Sequence, residues 1–189
     1  MPEPELTDLP GVISFVPKRH GDARGYFSET YNEMSFTDIV GQSVKFVQDN
    51  ESLSVAVGTV RGLHYQTTMY AQGKLVRVTS GKLLDVCVDI RTSSKTFGNH
   101  ITIELDASEG RQLWVPPGFA HGFCTLEPNT TISYKVTDFY NADADRSIKW
   151  DDSDLGIQWP SIADESQLSV KDASASSFSQ LSEAGDLFA

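Results

Sequence analysis

Short apolar segments recur along the chain, separated by glycine, proline, asparagine and aspartate. Most segments are rich in β-branched and aromatic residues, and several alternate apolar with polar positions, as strands with one buried face do. Their spacing of roughly 8 to 12 residues is typical of an antiparallel sandwich or barrel. The segments are GVISFVP, VKFVQD, KLVRVTSG, KLLDVCVDI, ITIEL, RQLWVPPG, GFCTL and TISYKVTDFY.

Three other stretches carry local signals. The alternating run KLVRVTSGKLLDVCVDI contains SGK at its centre, which predicts a hairpin turn between two paired strands. The stretch NEMSFTDIVG predicts a short helix, with Asn32 as its N-cap and Gly41 as its stop. From about Ser161 the chain becomes rich in serine, alanine and acidic residues, so we expect its end to be loosely held or to form a short surface helix.

Length and composition restrict the class of protein. The 189 residues, 39% apolar and 22% charged, are typical of one globular domain. The formal net charge of -11 argues against a protein that coats nucleic acid or an anionic membrane, because both need a basic face. A local basic pocket for a small anionic ligand remains compatible with this charge.

The cysteines and the N-terminal stretch bear on location. Cys87 and Cys124 lie in apolar runs and are expected to be buried free thiols, which favours a reducing cytoplasm. The stretch MPEPELTDLPG is acidic and proline-rich, unlike a signal peptide. No apolar run approaches the length of a membrane span.

One motif points to a fold. GRQLWVPPGFAHGF has the spacing G-x5-P-x-G-x2-H, ending at His121, and resembles the second motif of the cupin superfamily of double-sheet jelly rolls. The first cupin motif would supply His-x-His and a glutamate as metal ligands. The matching stretch from Gly58 offers only His64, followed by Tyr65 and Gln66. We therefore expect a cavity without a metal.

The stretch VRGLHYQ places Arg61 and His64 three residues apart, so a regular strand would point them to opposite faces. A bulge at the Arg-Gly pair would turn both inward. Lys74 and Arg77 add cations nearby in an otherwise acidic chain. A group of cations around a histidine suits an anionic substrate such as a phosphate or diphosphate.

A longer set of blocks resembles one family. The blocks occur in the order and spacing of the dTDP-4-dehydrorhamnose 3,5-epimerases, and the resemblance covers residues 11–172. It leaves residues 1–10 as an N-terminal extension and residues 173–189 as a C-terminal tail. The blocks are DARGYFSETYN, FVQDN, VRGLHYQ, AQGKLVRVTSGKLLDVCVDIR, TFG, VPPGFAHGFCTLE, YKVTDFY, DLGIQWP and LSVKD.

The resemblance implies an all-β, cupin-type double-sheet jelly roll with a few short helices, and an isomerase that needs neither metal nor redox cofactor. It implies a homodimer in which an arm of one subunit reaches the other's pocket. The implied substrate is a dTDP-4-keto-6-deoxyhexose, inverted at C3 and C5 on the way to dTDP-L-rhamnose for surface polysaccharide in a bacterial cytoplasm. Both carbons are α to the C4 ketone, so each inversion passes through an enolate.

The resemblance also assigns roles to residues. His64 matches the base, Asp172 its partner carboxylate, Tyr134 the acid on the opposite face, and Lys74 the cation near the C4 oxygen. Phe27 matches an aromatic in the arm, and His121 lines the pocket. The positions that match contacts to nucleotide, diphosphate or sugar are Arg24, Glu29, Gln48, Asn50, Arg61, Asp145 and Lys171.

The chain departs from the family pattern at Glu51, at Thr67 and Thr68 in place of a proline pair, and in the run NADADRS. These departures touch substrate detail rather than the four catalytic positions. They leave open an epimerase acting at C3 or C5 only. A non-catalytic sugar-binding cupin predicts loss of a catalytic residue, and none is lost. A metal-dependent cupin oxygenase or isomerase would need the missing ligands.

Overall fold

The computed structural model describes residues 3–188, which form thirteen strands and three α-helices. The strands are β1 (Glu5–Leu6), β2 (Ile13–Phe15), β3 (Arg19–Asp22), β4 (Gly25–Ser28), β5 (Gln48–Ser54), β6 (Val60–Gln66), β7 (Lys74–Ser80), β8 (Lys82–Asp89), β9 (His100–Asp106), β10 (Gln112–Val115), β11 (Phe119–Thr125), β12 (Thr130–Val136) and β13 (Asp145–Ser147). The helices are α1 (Glu33–Val40), α2 (Val170–Ala173) and α3 (Phe178–Ala184), and 3₁₀ turns occupy Thr68–Tyr70 and Glu165–Gln167.

Two antiparallel sheets form the body of the fold. The six-stranded sheet has the order β1-β2-β10-β7-β12-β5, and the five-stranded sheet has the order β13-β6-β11-β8-β9. Strands β3 and β4 form a separate hairpin, called here the arm. The main core lies between the sheets, where Val76, Leu113 and Ile132 of one pack in a single cluster with Leu83 and Leu105 of the other. The predicted double-sheet jelly roll is confirmed.

The predicted hairpin at Gly81 is wrong. β7 pairs with β10 and β12, whereas β8 pairs with β11 and β9, so the turn carries the chain from one sheet to the other. Gly81 adopts φ 75°, and a Cβ there would lie 2.4 Å from Thr130 Oγ1. The sequence pattern of two alternating strands joined by a glycine turn does not distinguish a hairpin from a turn between two facing sheets. In both cases each strand buries one face and exposes the other.

Helix α1 covers the outer face of the six-stranded sheet. Asn32 Oδ1 accepts hydrogen bonds from the amides of Met34 and Ser35, and Gly41 ends the helix at φ 73°, as predicted. The helix buries Phe36, whose ring packs edge-on against Trp114 with centroids 5.3 Å apart.

The C-terminal segment covers the outer face of the five-stranded sheet. Of the two forms expected for it, the structure has a short surface helix, α3, and the segment is not loosely held. Phe178, Leu181 and Phe188 are buried there, and Asp186 pairs with Arg146 of β13 at 3.0 Å. Residues 173–188 therefore belong to the packed body of the molecule.

The predicted bulge in β6 is confirmed. His64 lies opposite His121 and Arg61 lies opposite Phe123, so β6 carries one residue more than β11 between these two pairs. Arg61 and His64 consequently face the same cavity. Gly62 makes the bulge possible, with φ 118°, and its peptide bond to Leu63 is cis.

We expect Gly62→Ala to destabilise the protein by at least ~2 kcal/mol and to lower its activity. A Cβ at Gly62 would lie 2.6 Å from Gly122 Cα and 2.8 Å from the His121 carbonyl oxygen, so the strands would have to separate beneath the cavity. Urea unfolding measures the stability. Gly156→Ala is the matched control, because Gly156 also has positive φ but has open space around it. An equal loss in both variants would contradict the close approach as the cause.

Candidate active site

A cavity of about 300 Å³ opens between the two sheets beside helix α2. Its walls bring together eight of the residues that the sequence singled out. These include all four predicted catalytic residues. The eight are Arg61, His64, Lys74, His121, Tyr134, Asp145, Lys171 and Asp172.

His64 and Asp172 form a hydrogen-bonded pair although 108 residues separate them. His64 Nε2 lies 2.5 Å from Asp172 Oδ1, and Asp172, at 3% exposure, is almost fully buried. Burial lowers the pKa of His64, and the adjacent Asp172 carboxylate only partly opposes this. The imidazole is therefore neutral at neutral pH, and Nδ1 is left as the ring nitrogen that can accept a proton.

Asp172 is held ionised by its hydrogen bonds. Burial would raise its pKa, but the hydrogen bonds from His64 and from the Ser169 hydroxyl outweigh burial, and the pKa is lowered. An ionised carboxylate on Nε2 fixes the histidine tautomer and stabilises the imidazolium that forms when Nδ1 takes a proton.

Lys74 reaches across the cavity from the six-stranded sheet. Its Nζ donates a hydrogen bond to the backbone oxygen of His64 at 3.2 Å. Burial lowers the pKa of Lys74 to about 8, while Cys87 and Asp85 act in the opposite direction. The ammonium is thus a half-buried, partly desolvated donor, which is suited to stabilising an oxyanion.

A second histidine–carboxylate pair faces the same cavity. His121 Nε2 lies 2.8 Å and 2.9 Å from the two carboxylate oxygens of Asp85, whose side chain is fully buried. Asp85 was not among the site residues predicted from the sequence. The signal was an aspartate within the apolar run LLDVCVDI, since a buried charge of this kind needs a partner.

Tyr134 lies on the opposite wall from His64. It belongs to β12 of the six-stranded sheet, whereas His64 belongs to β6 of the five-stranded sheet. Burial raises the pKa of Tyr134, with Arg61 opposing, so the phenol is protonated at neutral pH. A neutral base and a neutral acid therefore face one cavity from two sheets.

The mouth of the cavity carries fixed charges. Lys171, next to Asp172 in the chain, forms an ion pair with Asp145, which also accepts a hydrogen bond from the Tyr140 hydroxyl at 3.2 Å. Arg61 is held by Ser54 Oγ and by the Leu53 carbonyl oxygen, both at 3.1 Å.

Six residues of the sequence analysis lie outside this cavity lining. Arg24 and Phe27 lie on the arm, where the Arg24 side chain is 90% exposed and Phe27 is 71% exposed. Glu29 lies in a second hollow beside α1. The other three are on strands. Gln48 Nε2 donates a hydrogen bond to Asn50 Oδ1 on β5 at 2.7 Å. Arg77 points to the outer face of β7, so the prediction that it joins Lys74 in the group of cations around His64 was wrong.

Residues 3–188 contain no group of three or more His, Cys, Asp or Glu side chains arranged to hold a metal ion. They also contain no helix long and apolar enough to cross a membrane. Cys87 and Cys124 are buried free thiols, as expected.

We predict a bell-shaped dependence of kcat/KM on pH for proton transfer by this site. Activity should fall below the ordinary histidine pKa of 6.5, because His64, with its pKa lowered, must be unprotonated to accept a proton. Activity should also fall as pH rises through about 8, because Lys74 must be protonated to act as a cation.

Lys74→Arg tests the alkaline limb. A guanidinium stays charged up to pH values of about 12, so the residual activity of this variant should lack the fall near pH 8. An alkaline limb unchanged in Lys74→Arg would contradict its assignment to Lys74.

Comparison with known proteins identifies relatives along nearly the whole chain. A sequence profile described as dTDP-4-dehydrorhamnose 3,5-epimerase matches residues 6–180. A protein of the same description from Sinorhizobium fredii is 54% identical over 165 residues, which cover 87% of this chain and 84% of that protein.

Solved structures with the same architecture include two with bound nucleotide sugars. A dTDP-6-deoxy-D-glucose-3,5-epimerase from Legionella pneumophila, in complex with dTDP-4-keto-L-rhamnose, is 40% identical and superposes with a TM-score of 0.93 over 100% of this chain and 98% of that one. A 3'-monoepimerase from Streptomyces bikiniensis, in complex with dTDP-quinovose, is 30% identical with a TM-score of 0.90, covering 96% of this chain and 90% of that one.

Proposed function

The chain belongs to the dTDP-4-dehydrorhamnose 3,5-epimerase family, and we propose how its residues carry out the reaction. The enzyme inverts C3 and C5 of dTDP-4-dehydro-6-deoxy-D-glucose to give dTDP-4-dehydro-L-rhamnose, a step of dTDP-L-rhamnose biosynthesis. The observation that carries the residue assignment is the placement of the His64–Asp172 pair and Tyr134 on opposite walls of one cavity.

His64 acts as the base. Its Nδ1 takes the proton from a carbon next to the C4 ketone, and the C–H electron pair becomes the carbon–carbon double bond of an enolate, with the negative charge on O4. The proton stays on the imidazolium, which the Asp172 carboxylate stabilises from the Nε2 side.

Tyr134 completes the inversion. Its hydroxyl donates a proton to the opposite face of the enolate carbon, and the C4 ketone forms again as the electron pair returns. The phenolate then regains a proton from solvent, and His64 releases its proton to solvent, so each inversion exchanges one carbon-bound hydrogen. The raised pKa of Tyr134 keeps it protonated until this step.

Lys74 and His121 stabilise the charge on O4. Both line the cavity, and Lys74 is a half-buried ammonium beside the His64 backbone. Donors fixed around a developing oxyanion in a site that excludes water contribute about 3 kcal/mol each to transition-state stabilisation.

Arg61, Lys171 and Asp145 are the residues we assign to the diphosphate and sugar at the cavity mouth. Asp145 and Lys171 neutralise each other in the free enzyme, so substrate must compete for Lys171. Gln48 and Asn50 lie on β5, the edge strand of the six-stranded sheet, where Asn50 is paired with Tyr134 of β12.

We further propose a homodimer in which the arm carries Arg24 and Phe27 to the partner's substrate, together with Glu29, which directly follows the arm in the chain. The support is that the arm exposes Tyr26 and Phe27, at 61% and 71%, outside the cavity of its own chain. Large exposed aromatic residues on one hairpin are typical of a contact surface. A cytoplasmic location is consistent with the two free thiols.

Product analysis tests the function. The enzyme is incubated with dTDP-4-dehydro-6-deoxy-D-glucose, the ketone is reduced with borohydride, and the sugars released by acid are identified. L-rhamnose and its C4 epimer are expected, because reduction creates either configuration at C4. Recovery of 6-deoxy-D-glucose and its C4 epimer alone would contradict the proposal. A sugar inverted at C3 alone would favour the second candidate, which the 30% identity to a 3'-monoepimerase supports.

A further inference from the structure

The hydroxyl of Ser169 makes two hydrogen bonds with a single residue. It accepts one from the backbone amide of Asp172 at 3.1 Å, as an N-cap does, and it donates one to Asp172 Oδ2 at 2.9 Å. Ser169 also lines the cavity. One small side chain thus fixes both the backbone and the carboxylate of the residue that orients His64.

The two oxygens of Asp172 have separate partners. Oδ1 faces His64 Nε2 at 2.5 Å, and Oδ2 takes the Ser169 hydroxyl. Rotation of the carboxyl group about its bond to Cβ would break both contacts together. The serine therefore holds Oδ1 in the orientation that the histidine needs.

The segment that leads to Ser169 is itself anchored to the start of β6. Thr59 Oγ1 donates to Gln167 Oε1 at 2.9 Å, and the Asp164 amide donates to the Gly58 oxygen at 2.9 Å. Helix α2 contains only four residues, so it has little stability of its own. Ser169 therefore connects this anchored segment to Asp172 through its hydroxyl.

We propose that Ser169 is a positioning residue of the reaction, which acts through Asp172 by holding its carboxylate on His64 Nε2. This inference rests on the proposed function, because it assigns Ser169 to the same proton transfer. It differs from a purely structural cap, whose loss would affect stability without changing the histidine–aspartate contact.

Helix α3 provides a matched control. Ser177 caps α3 in the same way, with its hydroxyl accepting from the Gln180 amide, and it is half-buried and lies outside the cavity lining. Ser177→Ala therefore removes a serine N-cap without touching the His64–Asp172 pair.

The kinetic test uses Ser169→Ala, Ser169→Gly and Ser169→Thr. Glycine caps helices nearly as well as serine but donates no side-chain hydrogen bond, and threonine does both. We expect kcat to fall roughly 10- to 100-fold in the alanine and glycine variants, with KM changed less than about threefold. The threonine variant should recover most of kcat, and Ser177→Ala should keep it.

A second readout needs no substrate. The proton between His64 Nε2 and Asp172 Oδ1 should give a strongly deshielded ¹H NMR signal, because it lies in a short hydrogen bond to a carboxylate. We expect this signal to move upfield or disappear in Ser169→Ala and Ser169→Gly, and to persist in Ser169→Thr and Ser177→Ala.

Failure of the positioning role and failure of the proposed function give different results. If Ser169→Ala and Ser169→Gly keep both kcat and the deshielded signal, the positioning role is overturned while the epimerase assignment stands. If the wild-type enzyme fails to invert either carbon, the proposed function is overturned, whatever the NMR spectrum of the free enzyme shows.

Discussion

His64→Ala should lower kcat for epimerisation roughly 10³- to 10⁴-fold, the contribution of a well-placed general base. We do not expect His121 to replace it, because His121 lies opposite His64 on the neighbouring strand β11 and is assigned to the charge on O4. Solvent exchange of substrate hydrogens should fall equally, since proton removal is lost and not merely its return. Steady-state kinetics and ¹H NMR measure the two rates.

Controls separate this effect from loss of fold. His100→Ala, at the start of β9 and outside the cavity lining, should keep full activity. The double variant His64→Ala/Asp172→Ala should lose no more than His64→Ala alone, because Asp172 acts through His64. Additive losses would contradict this dependence, and substantial exchange in His64→Ala would show that another group is the base.

Tyr134→Phe should separate inversion from exchange. Net epimerisation should fall roughly 10²- to 10⁴-fold because the opposite face loses its acid. Exchange at the face served by His64 should fall much less, since His64 can still remove a proton and return a deuteron to the same face. The measurement compares deuterium in recovered substrate with the yield of inverted product in deuterated buffer.

Tyr31→Phe is the control for this substitution, because Tyr31 packs beside α1 and outside the catalytic cavity. It should change neither rate. Equal losses of inversion and exchange in Tyr134→Phe would argue against Tyr134 as the acid on the opposite face and would favour a role in binding.

Structural features that depend on neighbouring residues in the chain were predicted from the sequence. Alternating runs predicted the strands, Asn32 and Gly41 predicted both ends of α1, and the spacing of Arg61 and His64 predicted the bulge. The pairing of His64 with Asp172 came from family resemblance, because nothing local to either residue connects positions 108 residues apart.

Other features depended on tertiary contacts that local patterns do not encode. The turn at Gly81 has the residues of a hairpin, yet its strands join different sheets. Asp85 was concealed within an apolar strand and is explained only by His121 on the neighbouring strand. Arg77 is near Lys74 in sequence, but an odd separation along β7 places it on the other face. Phe188 packs on the sheet, whereas the composition around it predicted either a loosely held end or a short surface helix.

In the proposed mechanism, His64 and Tyr134 exchange the hydrogens next to the C4 ketone across one cavity. The most direct test is ¹H NMR of dTDP-4-dehydro-6-deoxy-D-glucose incubated with the enzyme in deuterated water. We predict that the product carries deuterium at both C3 and C5, and that neither carbon exchanges with His64→Ala. An inverted product that retains its original hydrogens at both carbons would contradict this mechanism.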